Sequence, residues 1–144
     1  MAPRKSRAGR SFSATLLAVA IYACGNLVPQ FKEPPAGSFA SETHQVKIGE
    51  STAPLAGASV TKDFFPGTNA QPLLGRFFVG ADFAPAGTST VILSHQLWNA
   101  RLGASPAIIG QQIEIEGRPY VVVGVAPRGF EFPSGAQFWT PRKP

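Results

Sequence analysis

The stretch Gln112-Ile113-Glu114-Ile115-Glu116-Gly117-Arg118-Pro119-Tyr120-Val121-Val122-Val123-Gly124-Val125 decides the fold. Its first five residues alternate between polar and aliphatic, and its last six are rich in β-branched side chains, so both halves favour strands. The Gly117-Arg118 pair favours a turn between them. We therefore predict a C-terminal β-hairpin with one apolar face toward the core. That face is expected to consist of Ile113, Ile115, Val121 and Val123.

A strand and a helix are predicted before this hairpin. Val91-Ile92-Leu93 is an apolar triplet bounded by polar residues, which is typical of a buried strand. Ser94 is placed to cap a helix that runs to Leu102, and Gly103 suits its end. The order strand, helix, hairpin predicts an α+β fold, with a small mixed or antiparallel sheet and one main helix. The core side chains predicted before the hairpin are Phe64, Phe65, Leu97, Trp98 and Leu102.

Residues 1–28 have the pattern of a signal peptide or a membrane anchor. Four basic residues precede an uncharged apolar run, which extends from Phe12 to Cys24. Ala23 before Cys24 resembles a bacterial lipobox, which makes Cys24 a candidate for lipidation. Three outcomes remain open: a cleaved signal with or without lipidation, an apolar N-terminal helix that stays in the membrane, and a remnant that does neither.

The remaining chain is predicted to contain one folded domain. Residues 29–57 have few aliphatic residues and many turn formers, so we expect a linker in which Val46-Lys47-Ile48 forms at most a short strand. Residues 58–141 are expected to be the domain itself, and residues 142–144 a tail. A chain of 144 residues has room for one core of this size but not for two.

The charge of the chain argues against a nucleic-acid partner. The formal net charge is +5, from 13 basic and 8 acidic side chains. Four of the basic residues precede the apolar run, which leaves nine basic against eight acidic residues in the rest of the chain. Binding to phosphates needs a grouped set of Lys and Arg side chains, and the domain offers none.

The residues that could carry chemistry do not form a recognisable site. Ser94 and His95 are neighbours but lack an evident acid that would orient the imidazole. Glu114 and Glu116 are expected on the exposed side of a strand as solubilising charges. The single Cys excludes an internal disulfide, and no Gly is followed by Lys, so no phosphate loop is present. We predict no enzyme activity, no catalytic residue, no cofactor and no metal site.

The order of short motifs resembles a known family. The motifs are Val60-Thr61-Lys62-Asp63-Phe64-Phe65, Pro72-Leu73-Leu74-Gly75-Arg76-Phe77-Phe78, Gly117-Arg118-Pro119-Tyr120-Val121-Val122-Val123-Gly124-Val125 and Pro127-Arg128-Gly129-Phe130-Glu131-Phe132-Pro133. From about residue 58 to 141 the chain resembles the MacB-like periplasmic core domain of FtsX-like ABC transporter permeases. Residues 66–70 depart from the family pattern, and the chain stops before any later transmembrane helix. Three explanations remain open: a truncated or decayed gene product, a fragment of a longer reading frame, and a free-standing envelope protein derived from the domain.

The resemblance implies a non-catalytic function in the bacterial cell envelope. It implies a periplasmic domain at the inner membrane that transmits motion or binds substrates and partners outside it. The implied partners are an ABC ATPase and other transporter subunits, reached through membrane segments. The alternative is a secreted or lipid-anchored envelope binding module that has no transporter partner.

Overall fold

Seven strands dominate residues 31–143, the part of the chain that the computed structural model describes. The chain divides into two units, Met1–Gln30 and Phe31–Pro144, and the description that follows concerns the second. The strands are β1 (Phe39–Ile48), β2 (Ser51–Val60), β3 (Leu74–Gly75), β4 (Thr90–Leu93), β5 (Gln112–Ile115), β6 (Arg118–Val125) and β7 (Phe138–Pro141). The helices are α1 (Phe64–Thr68) and α2 (His95–Arg101), with 3₁₀ helices at Gly80–Phe83 and Pro106–Ile108. The predicted signal or anchor and Cys24 lie outside the described residues.

Strands β1 and β2 form a long antiparallel hairpin, with ten residue pairs from Phe39↔Val60 to Ile48↔Ser51. The prediction of a linker with a short strand is therefore wrong for residues 39–57. The sequence conceals these strands because β1 is mostly exposed or half-buried, and only Val46 is buried along its length. A strand with one buried residue shows no clear alternation of apolar and polar side chains.

The predicted hairpin of β5 and β6 is present, but its register differs from the prediction. Glu116 and Gly117 form the turn, with φ of 52° and 78°, and Ile113 pairs with Tyr120. Both central residues of a two-residue hairpin turn have positive φ in the type I′ conformation. The turn lies one residue earlier than Gly117-Arg118, which moves the pairing by two residues and leaves the faces of the strands unchanged. Residues directly opposite each other share a face, so Ile113 shares its face with Tyr120, whereas Val121 pairs with Gln112 on the other face, and the prediction for Val121 is wrong.

A bulge in β6 then interrupts the alternation of its two faces. Along the parallel pair of β4 and β6, Val91 pairs with Val122 but Ile92 pairs with Gly124, so Val123 is the additional residue. Val122 and Val125 consequently pack into the same buried cluster as Ile113, although they are three residues apart. Val123 is half-buried and packs against a different cluster, so its predicted place beside Ile113 is also wrong.

Six of the strands close into a ring. The pairings run from β1 to β2, β7, β4, β6 and β5, and the β5–β1 pair returns to the start. Every strand of the ring contributes to one buried cluster, which therefore fills its inside and is called the inner cluster. Its buried members are Val46, Leu55, Val91, Leu93, Leu97, Trp98, Ile108, Ile113, Ile115, Val122, Val125 and Phe138.

Helix α2 packs against this inner cluster. Ser94 caps it, since the Oγ of Ser94 accepts the backbone N–H of Leu97 at 3.0 Å. Leu97 and Trp98 are buried, and Leu102 is half-buried against the same cluster. The indole Nε1 of Trp98 donates to the carbonyl of Ser105 at 2.9 Å, which satisfies its polar atom.

A second buried cluster lies on the outside of the ring and is called the outer cluster. It contains Ala58, Val60, Phe64, Phe65, Ala70, Ile92, Ala126, Phe130, Ala136 and Trp139. Alternation along β4 and β7 separates the two clusters, because Ile92 and Trp139 face outward while Leu93 and Phe138 face inward. The fold is therefore mixed α+β, dominated by the sheet and with few helices. Within residues 31–143 no helix is long and apolar enough to cross a membrane.

Candidate functional site

The outer cluster is built mainly from aromatic rings that contact one another. Phe64 and Phe65 on α1 meet at 4.9 Å between ring centroids, and Phe65 contacts Trp139 on β7 at 5.8 Å. Phe130 lies between them, 6.0 Å from Phe64 and 5.4 Å from Trp139. Phe77 stacks on Phe65 at 4.1 Å. This packing holds α1 on the ring and places the segment after α1 next to it.

That segment, residues 71–83, is named the apolar loop. Leu73 and Val79 are 46% and 49% exposed, and they are the exposed large hydrophobic residues of the described chain. Phe77 and Phe78 are half-buried beside them. A groove of about 330 Å³ runs between this loop and α1, lined by Phe65, Pro66, Ala70, Gln71, Pro72, Gly75, Arg76, Phe77 and Phe78. The loop therefore presents apolar side chains to the solvent.

A charged brace fixes the shape of the apolar loop. The Oδ2 of Asp82 accepts the backbone N–H of Val79 at 2.7 Å and the Nη1 of Arg76 at 2.8 Å. Burial of Asp82 raises the pKa of its carboxyl, but the hydrogen bonds from Arg76 and Val79 and the Arg76 charge outweigh it. The pKa of Asp82 therefore lies below its ordinary value, and the carboxylate is ionised at neutral pH. The two charged side chains of the loop, Arg76 and Asp82, therefore pair with each other.

The described chain enters beside α1. The backbone N–H of Lys32 donates to the carbonyl of Thr68 at 3.0 Å, and the ring of Phe31 contacts that of Phe130 at 5.3 Å. The other end is close by, because the N–H of Arg142 donates to the carbonyl of Val60 at 2.8 Å. Both ends are thus tied to elements that carry the outer cluster.

A second group of polar residues lies at the seam where β5 meets β1. The ring nitrogens of His44 lie 2.9 Å from Glu42 Oε2 and 3.3 Å from Glu116 Oε2. Glu116 also accepts the N–H of Gln45 at 2.8 Å, and this bond, together with His44, holds the pKa of Glu116 below its ordinary value. Sequence reasoning missed this group, since Glu116 is 72 residues from His44 and no spacing rule connects them.

The residues considered for catalysis are not brought together. Ser94 Oγ serves as the helix cap, and His95 packs edge-on to Trp98 at 5.6 Å. Glu114 is exposed on β5, and Glu116 is exposed in the turn after it rather than on the strand where it was predicted. Among residues 31–143 no three His, Cys, Asp or Glu side chains form a group that could hold a metal ion.

The core residues predicted from the sequence occupy three environments. Phe64 and Phe65 are buried in the outer cluster, while Leu97, Trp98, Ile113 and Ile115 are buried in the inner one. Leu102 is half-buried at the edge of the inner cluster, and Val123 is half-buried at the edge of the outer one. Val121 is half-buried and belongs to neither. Cys24 lies outside the described residues.

The chain belongs to a known family of periplasmic domains. The model of the MacB-like periplasmic core domain matches residues 3–143. The match starts well before residue 58, where the motifs had suggested the resemblance begins, and it includes the hairpin of β1 and β2. No curated protein sequence matches the chain.

Two solved structures have a similar fold. One is the extracellular domain of the noncanonic ABC-type transporter YknZ from Gram-positive bacteria, with a TM-score of 0.57 and 17% identity over 81% of this chain. The other is the periplasmic region of MacB from Actinobacillus actinomycetemcomitans, with a TM-score of 0.56 and 16% identity over 85% of this chain. The matched regions span 56% and 54% of those two chains, so this chain corresponds to about half of each.

Proposed function

We propose that this chain is a non-catalytic periplasmic core domain of an ABC transporter permease, which passes motion or binds partners outside the inner membrane. The observation that carries the proposal is the family match over residues 3–143, supported by the similar folds of two transporter domains. An ABC ATPase is the partner that such a domain requires, since the chain has no phosphate loop of its own. Residues 1–28 would direct the chain to the envelope.

The ring of strands suits the transmission of force. Each of its six strands is hydrogen-bonded on both edges to neighbours in the ring, so a displacement of one strand is passed to the others. The inside is filled by close-packed side chains, and such cores resist compression. Motion of the flanking chain would enter through the bonds of Lys32 to Thr68 and of Arg142 to Val60. We propose that these two connections are the mechanical input of the domain.

Co-purification from membranes tests the proposal. The full chain with a C-terminal tag is expressed in its native host, extracted in mild detergent and isolated with whatever is bound. We expect the isolate to contain an ABC ATPase and to hydrolyse ATP in a vanadate-sensitive way. The control is Trp98→Ala, which should not fold and should therefore yield neither the ATPase nor the activity. A chain that is acylated at Cys24 and isolated without any ATPase would contradict the proposal and favour the binding module without a transporter.

A further inference from the structure

The seam where β5 meets β1 closes the ring with few bonds. It has two residue pairs, which involve Val46 and Lys47 of β1, whereas β1 and β2 share ten. Glu116, in the turn after β5, adds a further link to Gln45. Its backbone N–H donates to the carbonyl of Gln45 at 2.8 Å, and its Oε2 accepts the N–H of Gln45 at 2.8 Å. Glu116 therefore forms the end of the seam, beyond which the chain turns into β6.

His44 lies at this end of the seam, between two carboxylates. Its Nε2 is 2.9 Å from Oε2 of Glu42 on the same strand, and its Nδ1 is 3.3 Å from Oε2 of Glu116 across the seam. An ionised carboxylate only accepts hydrogen bonds. A neutral imidazole has one N–H and can donate to one of the two carboxylates, whereas an imidazolium has two and can donate to both. With both carboxylates ionised, the two contacts are therefore hydrogen bonds only when His44 is protonated.

The imidazole of His44 is placed beside the core but remains open to solvent. Side chains alternate along a strand, so Glu42 and His44 share the face of Val46, which belongs to the inner cluster. The ring of His44 lies 6.3 Å from that of Phe138, another member of this cluster. The side chain of His44 is nevertheless 31% exposed. A proton from solvent can therefore reach it, and the charge that the proton brings lies at the edge of the ring's interior.

The charged groups that face this imidazole are both acidic. Lys47 and Glu114 pair with each other on the seam, but alternation places them on the opposite face, where both are exposed. The strands β2 and β7 contain no charged residue. Arg118, at the start of β6, is exposed and forms no ion pair with any of the described residues. Protonation of the imidazole therefore places one positive charge between two negative ones, Glu42 and Glu116.

We propose that His44 is a pH-dependent latch on the ring of strands: its protonated form ties Glu42 to Glu116 and fixes the end of the seam, and its neutral form releases Glu116. Histidine is the side chain whose ordinary change of charge falls between about pH 5 and 8. When one proton is lost, the shorter contact keeps the remaining N–H on Nε2, and the lone pair of Nδ1 then faces Oε2 of Glu116. Two acceptors in contact repel each other, which weakens the hold of Glu116 on Gln45. The latch goes beyond the proposed function, because it is a property of the ring alone.

Amide hydrogen exchange at the end of the seam tests the latch. The full chain, labelled with nitrogen-15 and kept in detergent micelles, is measured by NMR at about pH 5.5 and about pH 8, near the two ends of the range in which histidine titrates. Protection factors remove the intrinsic effect of pH on exchange. We expect the protection of the N–H groups of Gln45 and Glu116 to fall by about two- to fivefold at the higher pH, the size expected of an exposed ion pair. The N–H of Ala126, which donates to the carbonyl of Leu93, is the internal reference and should keep its protection.

Two variants and a matched control assign the effect to one histidine. His44→Gln can still donate a hydrogen bond but cannot gain a proton, and Glu116→Gln keeps an acceptor for the N–H of Gln45 but removes the charge. Both should show equal protection at the two pH values. His95→Gln removes the other histidine of the chain, which packs against Trp98, and should keep the response of the wild type. Near-ultraviolet circular dichroism confirms that the variants fold.

The outcomes of this experiment separate the latch from the proposed function. Equal protection at both pH values in the wild type would overturn the latch. A response that persists in His44→Gln, or one that disappears in His95→Gln, would overturn it as well. The proposed function would stand in each of these cases, because co-purification of an ATPase does not depend on the protonation of His44.

Discussion

The ring of Phe77 stacks on the ring of Phe65, with centroids 4.1 Å apart and planes inclined by 16°. This contact attaches the apolar loop to α1, and through Phe65 to the outer cluster. Phe77→Ala should lower the free energy of unfolding by about 1–3 kcal/mol, less than the 3–5 kcal/mol of a fully buried ring, because Phe77 is only half-buried. Leu73→Ala, on the same loop but exposed, should change it by less than about 0.5 kcal/mol. Urea denaturation measures both, and equal losses would show that the stack contributes nothing.

Trp98 is the largest side chain that α2 contributes to the inner cluster, and its indole is 9% exposed. Trp98→Ala should cost about 3–5 kcal/mol, a large part of the stability of a small domain, so the variant should unfold or nearly so. Trp98→Phe keeps most of the apolar contact and loses the bond to Ser105, which should cost about 1–3 kcal/mol. Asn99→Ala, on the exposed side of the same helix, is the control. If Trp98→Ala keeps its melting temperature, α2 does not depend on this residue.

Gly57 on β2 faces the ring of Phe138 on β7, and a Cβ at position 57 would overlap that ring. Gly57→Ala should therefore be destabilising even though alanine suits a strand better than glycine. The combination with Phe138→Leu should recover part of the loss, because the smaller side chain leaves room for the added methyl group. A double-mutant cycle measures this coupling, and strict additivity of the two losses would mean that the residues do not interact.

The brace of the apolar loop predicts a dependence on pH. The pKa of Asp82 is lowered in the folded state from its ordinary value of 3.8, so its stabilising contribution is complete above that value and is lost as the pH falls below it. Asp82→Asn should reduce stability at pH 7 by about 1–3 kcal/mol and should weaken the loss of stability on acidification. Asp63→Asn, at an exposed position, should retain the acid response of the wild type. Unfolding curves between pH 7 and pH 2 measure both variants. If Asp82→Asn loses as much stability on acidification as the wild type does, the brace is not the source of the acid response.

Part of the fold follows from local sequence patterns. The alternation of Gln112 to Glu116 predicted β5, and Ser94 predicted the start of α2, because each signal lies within a few residues of the element that it defines. The register of β5 and β6 was not predictable in the same way. Glycine was assigned to the first turn position, whereas Glu116 occupies it with a positive φ. The bulge at Val123 then depends on pairing with β4, which is distant in the sequence.

The exposed surface of the apolar loop could be identified only from the structure. The apolar residues of the loop are ordinary core material by composition, and only the structure shows that Leu73 and Val79 remain exposed while Phe77 is partly covered. Likewise, the brace joins Arg76 to Asp82 across a turn with no helical or strand spacing. These relationships arise from tertiary packing, which patterns of single residues do not encode.

Hydrogen exchange in the isolated membrane complex tests the central claim most directly, namely that motion from an ATPase reaches this domain. Two amides report on the connection between β2 and its neighbours: the N–H of Gln137, which donates to Ala56, and the N–H of Arg142, which donates to Val60. We predict that addition of ATP with vanadate changes the exchange of these amides. Identical exchange throughout residues 31–143 with and without nucleotide would contradict the account.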